Sequence, residues 1–335
     1  MKNSEVDKKK LKDKISDFLY ETNRKMFHNK PHKQTLSMSA KKKRKIFIFA
    51  LLVIPCLNWL VFWLFVNMQS IMMAFQDART GAWTMENFST VWSNINREYV
   101  TATADSLSMA IKNTVLYFGT TLLINVPLCL IISFFMYKRI AGYKFFRVIF
   151  YLPAIISSVA LVSAYAEVVK PTGPIFYLVK MMGGEVDPVS ILSRQETAMG
   201  SILLYHVLTG FTTNVLLFTS GMARIPIEVI EAAKLDGVNP ATEIARIIFP
   251  LIWPTFSTQM LFILTGFFNS SGPILIFPEA TRQYTATIQF WLFNQVYSAG
   301  HYNIAACAGL CCTVIGVPII LLTRKLIERV EPVEY

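Results

Sequence analysis

Apolar residues dominate six stretches of this chain, at 46–68, 113–137, 145–169, 200–221, 251–268 and 304–323. Each is close to the ~20 residues that a helix needs to cross about 30 Å of hydrocarbon. The pattern predicts an all-α integral membrane protein with six transmembrane helices. The first stretch exceeds the apolar core of a signal peptide, and no small-residue cleavage pattern follows it, so it is expected to persist as a helix.

The polar positions between the spans predict the orientation. Lys41, Lys42, Lys43, Arg44 and Lys45 precede the first span, and Lys138, Arg139, Lys144 and Arg147 flank the short second connection. Arg324, Lys325 and Arg329 follow the last span. Lysine and arginine accumulate on the cytoplasmic side, so both termini are predicted to lie there, in a multi-pass membrane protein. The outer connections then carry Trp83, Phe88, Trp92 and Tyr99, and Pro171, Gly173, Pro174, Gly183 and Gly184. These suit short interfacial helices and turns.

Composition agrees with a membrane bundle, since 53% of residues are hydrophobic and only 16% charged. The net charge of +11 would raise the question of nucleic acid, but ten of those charges fall in residues 1–45. That tail reads as a cytoplasmic topogenic segment facing anionic membrane lipid, and no nucleic-acid partner is expected. Within it Leu11, Ile15, Phe18, Leu19 and Met26 recur at helical spacing, as in an amphipathic surface helix. The expected organisation is this tail at 1–45, a six-helix domain at 46–329 containing a loop at 224–254, and a C-terminal tail at 330–335. The cysteines Cys56, Cys129, Cys307, Cys311 and Cys312 sit in apolar runs without metal-ligand spacing, so neither a zinc site nor a disulfide framework is expected.

One inner connection, from Arg224 to Pro254, is too long and regular for a linker. Its first part predicts a short helix around Ile227, Ile230, Lys234 and Leu235, closed by Gly237, which adopts the left-handed conformation at little cost. Asn239 and Pro240 then read as N-cap and first residue of a second helix with Ile244, Ile247 and Ile248 on its apolar face. Pro250 and Pro254 mark passage into the fifth span. The order Glu231-Ala232-Ala233, three residues, Gly237, nine residues, Ile247, one residue and Phe249-Pro250 resembles the EAA loop of binding-protein-dependent ABC importer permeases, with phenylalanine where leucine is usual. Ile225-Pro226 and Asp236-Gly237 extend the likeness to the carbohydrate subgroup, of the maltose and glycerol-phosphate type. Asn113-Thr114, Tyr151-Leu152-Pro153 and Phe268-Asn269 resemble the same subgroup, which the chain follows from about residue 46 to 329.

That resemblance implies a cytoplasmic coupling loop in which Glu231, Ala232, Ala233, Asp236, Gly237, Asn239, Pro240 and Pro250 engage an ATP-binding subunit. It also implies a second homologous permease subunit, two ATPase subunits that bind ATP and Mg, and an extracytoplasmic solute-binding protein. No cofactor is expected in this chain. The sequence has no G-x-x-x-x-G-K-[ST] phosphate loop, so hydrolysis is assigned to a partner and the chain is not expected to be an enzyme.

Polar residues inside spans are costly, so they either line a path or bond between helices. His206, Thr209, Gly210 and Thr213 follow an i, i+3, i+4, i+7 pattern that predicts one face of the fourth span. Counted back from Glu231, this stretch aligns without a gap to the sugar-contacting stretch of maltose-type permeases, and Gly210 keeps its glycine. Thr265, Phe268 and Asn269 form a second such face in the fifth span, and Asn125, Tyr165 and Gln259 are further candidates. An ion-coupled secondary transporter is the alternative, but carboxylates near the midplane, its usual mark, are absent from the predicted spans. A membrane-embedded enzyme would need a convergent catalytic set that the sequence does not offer.

Overall fold

The computed structural model describes residues 21, 40–96, 106–184, 188–269 and 272–330. The expected tail helix around Leu11 to Met26, and Tyr99, lie outside these residues. Secondary structure among them is helical, apart from one isolated antiparallel bridge between Gln76 and Trp83. Four helices are long and apolar enough to cross a bilayer: α1 (Lys41–Ala74), α3 (Leu107–Tyr137), α7 (Gln195–Met222) and α13 (Tyr302–Ile327). Two bent pairs raise the number to six if each counts as one span. The first is α4 (Tyr143–Ile155) with α5 (Ser158–Val168), and the second is α9 (Pro240–Leu251) with the helix that follows, α10 (Trp253–Asn269).

The shorter elements are α2 (Glu86–Asn96), α6 (Pro174–Met181), α8 (Ile227–Leu235), α11 (Glu279–Thr285) and α12 (Ile288–Tyr297). The chain forms two compact units, Met1–Val66 and Asn67–Tyr335. In the first, which holds most of α1, Trp59 stacks on Trp63 at 5.2 Å. The second contains the remaining elements.

The third predicted span, 145–169, is not one helix. Its two halves meet at 106°. Pro153 removes a helical donor inside α4, and Ile156 and Ser157 then take extended backbone angles, ψ 140° and 134°. Thr212 of α7 donates to the carbonyl of Phe150 at 2.8 Å, so a backbone group beside the proline gains a side-chain donor.

Three apolar cores organise the second unit. One joins Tyr117, Ile202, Tyr205, Phe277 and Phe290, and another joins Ala74, Val91, Leu107, Trp291 and Cys307. The third packs Val126, Phe134, Val215, Phe218 and Met222 against Ile225, Ile230, Ile248 and Ile252. It therefore binds the C-terminal halves of α3 and α7 to the segment that follows α7.

Asn113 and Thr114 show why a polar pair opens the second span. The Asn113 amide donates to the carbonyls of Tyr284 and Ala286 at 3.0 Å each, while the Thr114 hydroxyl accepts from the Ile288 N–H at 2.9 Å. Backbone groups between α11 and α12 are thereby satisfied away from water.

Candidate functional site

The segment from Arg224 to Pro254 folds as a helix, a turn and a second helix, each limit set by local chemistry. Gly237 has φ +70°, and its N–H reaches the Lys234 carbonyl while the Val238 N–H reaches that of Ala233, both at 3.1 Å. These bonds satisfy carbonyls that the end of α8 would otherwise leave unpaired. The Asn239 side chain accepts from the Thr242 N–H at 2.8 Å, and Pro240 is the first residue of α9. Residues Glu243–Ile248 of α9 form a wider, π-helical turn, the kind of irregularity that re-aims side chains at functional positions.

One side of this segment is fixed and the other is free. Ile225, Ile230, Ala233, Ile248 and Ile252 are buried. Glu243 is also buried, and its carboxylate lies 2.5 Å from the Lys138 ammonium, tying α9 to the turn after α3. Among the sequence candidates, Glu231, Ala232, Asp236, Gly237, Asn239 and Pro240 are exposed, Ala233 is buried and Pro250 is intermediate. Of the apolar residues of the first helix, Leu235 is 90% exposed and Ile227 60%.

The membrane candidates divide into two groups. His206 is held by three residues of α3: the Tyr117 hydroxyl at 2.6 Å from Nδ1, the Thr121 hydroxyl at 2.9 Å from Nε2 and the Asn125 amide at 3.5 Å from Nε2. Thr121–Asn125 is itself a π-helical turn, and α7 loosens at Gly210 and Phe211 where it passes this turn. A side chain at Gly210 would begin 2.6 Å from the His206 carbonyl and 2.9 Å from the Asn125 amide nitrogen, so the close approach requires glycine. A cavity of about 170 Å³ adjoins the cluster, lined by Thr114, Tyr117, Phe118, Thr121, His206 and Phe267 among others. It mixes hydroxyl groups with aromatic surface, although drug-sized ligands usually occupy about 300 Å³ or more.

The remaining candidates lie elsewhere. Thr209 bonds its own helix, donating to the Tyr205 carbonyl at 2.8 Å, and Thr213 is exposed beyond the loosened turn. Neither lines the cavity beside His206. Thr265 and Phe268 instead face a separate groove with Gly309, Thr313 and Gly316 of α13, and the side chain of Asn269 lies outside the described residues. Tyr165 bonds to Ser201, and Gln259 donates to the buried Asn214, so both act between helices. Tyr117 and Thr121 are absent from the sequence candidates, although Tyr117, Thr121 and Asn125 recur every four residues as a polar stripe on α3. The Lys138–Glu243 pair, 105 positions apart, leaves no such signal.

A protein-family model described as the binding-protein-dependent transport system inner membrane component matches residues 113–332. The chain belongs to this family. The match takes in the helix pair, the His206 cluster and the spans around both, and makes the chain the membrane component of a transporter. Among curated relatives, the multiple sugar-binding transport system permease protein MsmF of Streptococcus mutans is 22% identical, covering 84% of this chain and 94% of its own. The arabinooligosaccharides transport system permease protein AraP of Bacillus subtilis is also 22% identical, with 81% and 85% covered. A chain of a bacterial ABC transporter involved in the import of the acidic polysaccharide alginate superposes with a TM-score of 0.74 at 21% identity, covering 86% of this chain and 96% of that one. At that identity the match bears on the fold.

Proposed function

We propose that the chain forms half of the translocation path of an ATP-driven importer whose substrate is a carbohydrate, of oligosaccharide size. Family membership and the sugar-transport names of its relatives support this reading. The observation that carries it is the two-sided helix pair at 224–254, buried through Ile225, Ile230 and Ile248 and exposed through Glu231, Ala232 and Leu235. One of two partner ATPases, which bind ATP and Mg, engages the exposed side in the cytoplasm. A homologous permease subunit supplies the other half of the path, and an extracytoplasmic binding protein delivers the solute.

In this mechanism, ATPase closure displaces α8, and the buried side passes the displacement to α3 and α7 through their shared core and the Lys138–Glu243 pair. A transmission of this kind needs an element biased from both ends. The His206 cluster lies further along the same two helices and contributes hydroxyl and aromatic surface to the path. This chain contributes no chemistry to hydrolysis.

Coupling is tested with Glu231→Lys and Gly237→Val permeases expressed at the wild-type level. Both insert normally and lose ATP-driven oligosaccharide uptake into vesicles, while an uncoupler leaves wild-type uptake intact. Wild-type uptake by both variants would remove the coupling role of the loop. Orientation is tested with single cysteines: one at Gly183 labels from outside and one at Gly237 does not, and the reverse pattern would refute cytoplasmic termini.

A further inference from the structure

A second cavity, of about 640 Å³, lies where the ends of α3, α4, α7 and α8 meet. Its wall includes Tyr137, Lys138, Arg139, Tyr143, Arg147 and Lys234, and no carboxylate lines it. Lys138 is neutralised by Glu243, but Arg139, Arg147 and Lys234 form no ion pair with any described residue. Three uncompensated cations around one cavity repel each other and favour an anion between them.

Arg139, with φ 51°, closes α3 in a left-handed turn, its N–H reaching the Met136 carbonyl at 3.2 Å and the Ile140 N–H that of Phe135 at 3.5 Å. The Thr219 hydroxyl in the cavity wall is buried without a hydrogen-bond partner. Beside the cavity, α4 turns a neighbouring stripe outward, with Phe145, Val148, Ile149 and Leu152 all exposed. The site thus joins a basic, tyrosine-edged pocket to an apolar surface, as recognition of an anionic headgroup and its acyl chains requires.

We propose that this cavity binds the phosphate of an anionic phospholipid, with the headgroup among Arg139, Arg147 and Lys234 and the acyl chains along Phe145, Val148 and Leu152. A free phosphate would gain nothing from the apolar stripe. An acidic segment of an ATPase is the less favoured occupant, because Ile227, Ile230 and Lys234 line the cavity from a face of α8 distinct from that of Glu231, Ala232 and Leu235. The proposal depends on the orientation given above only for the leaflet that supplies the lipid.

Native mass spectrometry of the full-length protein in its purified complex, equilibrated with micelles containing phosphatidylglycerol or phosphatidylcholine, tests it without ATP or transport. Wild type retains phosphatidylglycerol in preference to phosphatidylcholine. Removing one cation by Arg147→Gln lowers retention about fivefold, and Arg139→Gln/Arg147→Gln/Lys234→Gln lowers it about a hundredfold. Arg147→Lys keeps most of it. Arg139 is exposed, so Arg139→Gln supplies a folded variant in which retention must also fall. Equal retention by the triple variant, equal retention of the two lipids, or displacement by millimolar inorganic phosphate would each overturn the proposal.

Discussion

Replacing Lys138 by methionine should destabilise the protein more than replacing Glu243 by glutamine, and replacing both together should restore most of the loss. The pair is 2.5 Å apart, with the glutamate side chain 7% exposed and the lysine 22%. Removing one member of a buried pair costs about 3–5 kcal/mol, because the other charge is left without a partner. Lys138→Met strands the more deeply buried carboxylate and should reach that range. Glu243→Gln strands an ammonium that still touches water and the Phe134 ring, 5.5 Å away, so about 2–3 kcal/mol is expected. Lys138→Met/Glu243→Gln leaves no charge behind and should fall within about 1–2 kcal/mol of wild type. Thermal unfolding of the purified protein in detergent, run as a double-mutant cycle, gives the order directly. A double variant as unstable as the two singles combined would show that the ion pair does not join α9 to the turn after α3.

Gly210→Ala should cost about 1–3 kcal/mol by overpacking, since its methyl would meet the His206 carbonyl at 2.6 Å; an unchanged melting temperature would contradict the contact. Gly237→Val should cost about 1–2 kcal/mol through backbone conformation alone, because no atom lies within 4 Å of the added Cβ, and Gly237→Asn should recover much of it. His206→Phe, which breaks the bonds to Tyr117 and Thr121 and strands the Tyr117 hydroxyl while Thr121 keeps its bond to the Tyr117 carbonyl, should destabilise by about 1–3 kcal/mol. Thr213→Ala, at an exposed position, should stay within about 0.5 kcal/mol in the same unfolding assay.

Much of the architecture could be read from the sequence because each signal was local. The apolar runs at 113–137 and 304–323 fall inside continuous helices, and the turn between α8 and α9 follows from Gly237, Asn239 and Pro240. What the sequence left hidden depends on contacts between distant residues or on departures from ideal helix. Pro153 was visible, but a proline bends a helix by an amount set by its surroundings, and the extended backbone at Ile156 and Ser157 carried the bend to 106°. The helical spacing that placed Thr213 with His206 assumes an unbroken α7, and the loosening at Gly210 and Phe211 ends that periodicity. Thr265 and Phe268 did fall on one side of α10, but towards α13 and away from His206. Which face of a helix meets which neighbour is a tertiary fact.

The bonds from Asn113 to Tyr284 and Ala286 also order the protein's birth. The amide leaves the ribosome 171 residues before Tyr284, the first of its two acceptors. At about 5–20 residues per second, that interval is roughly ten to thirty seconds of synthesis. Throughout it, the Asn113 carboxamide is without the two carbonyls that it bonds in the finished fold. The last third of the chain therefore completes its own elements and also seats a helix made long before.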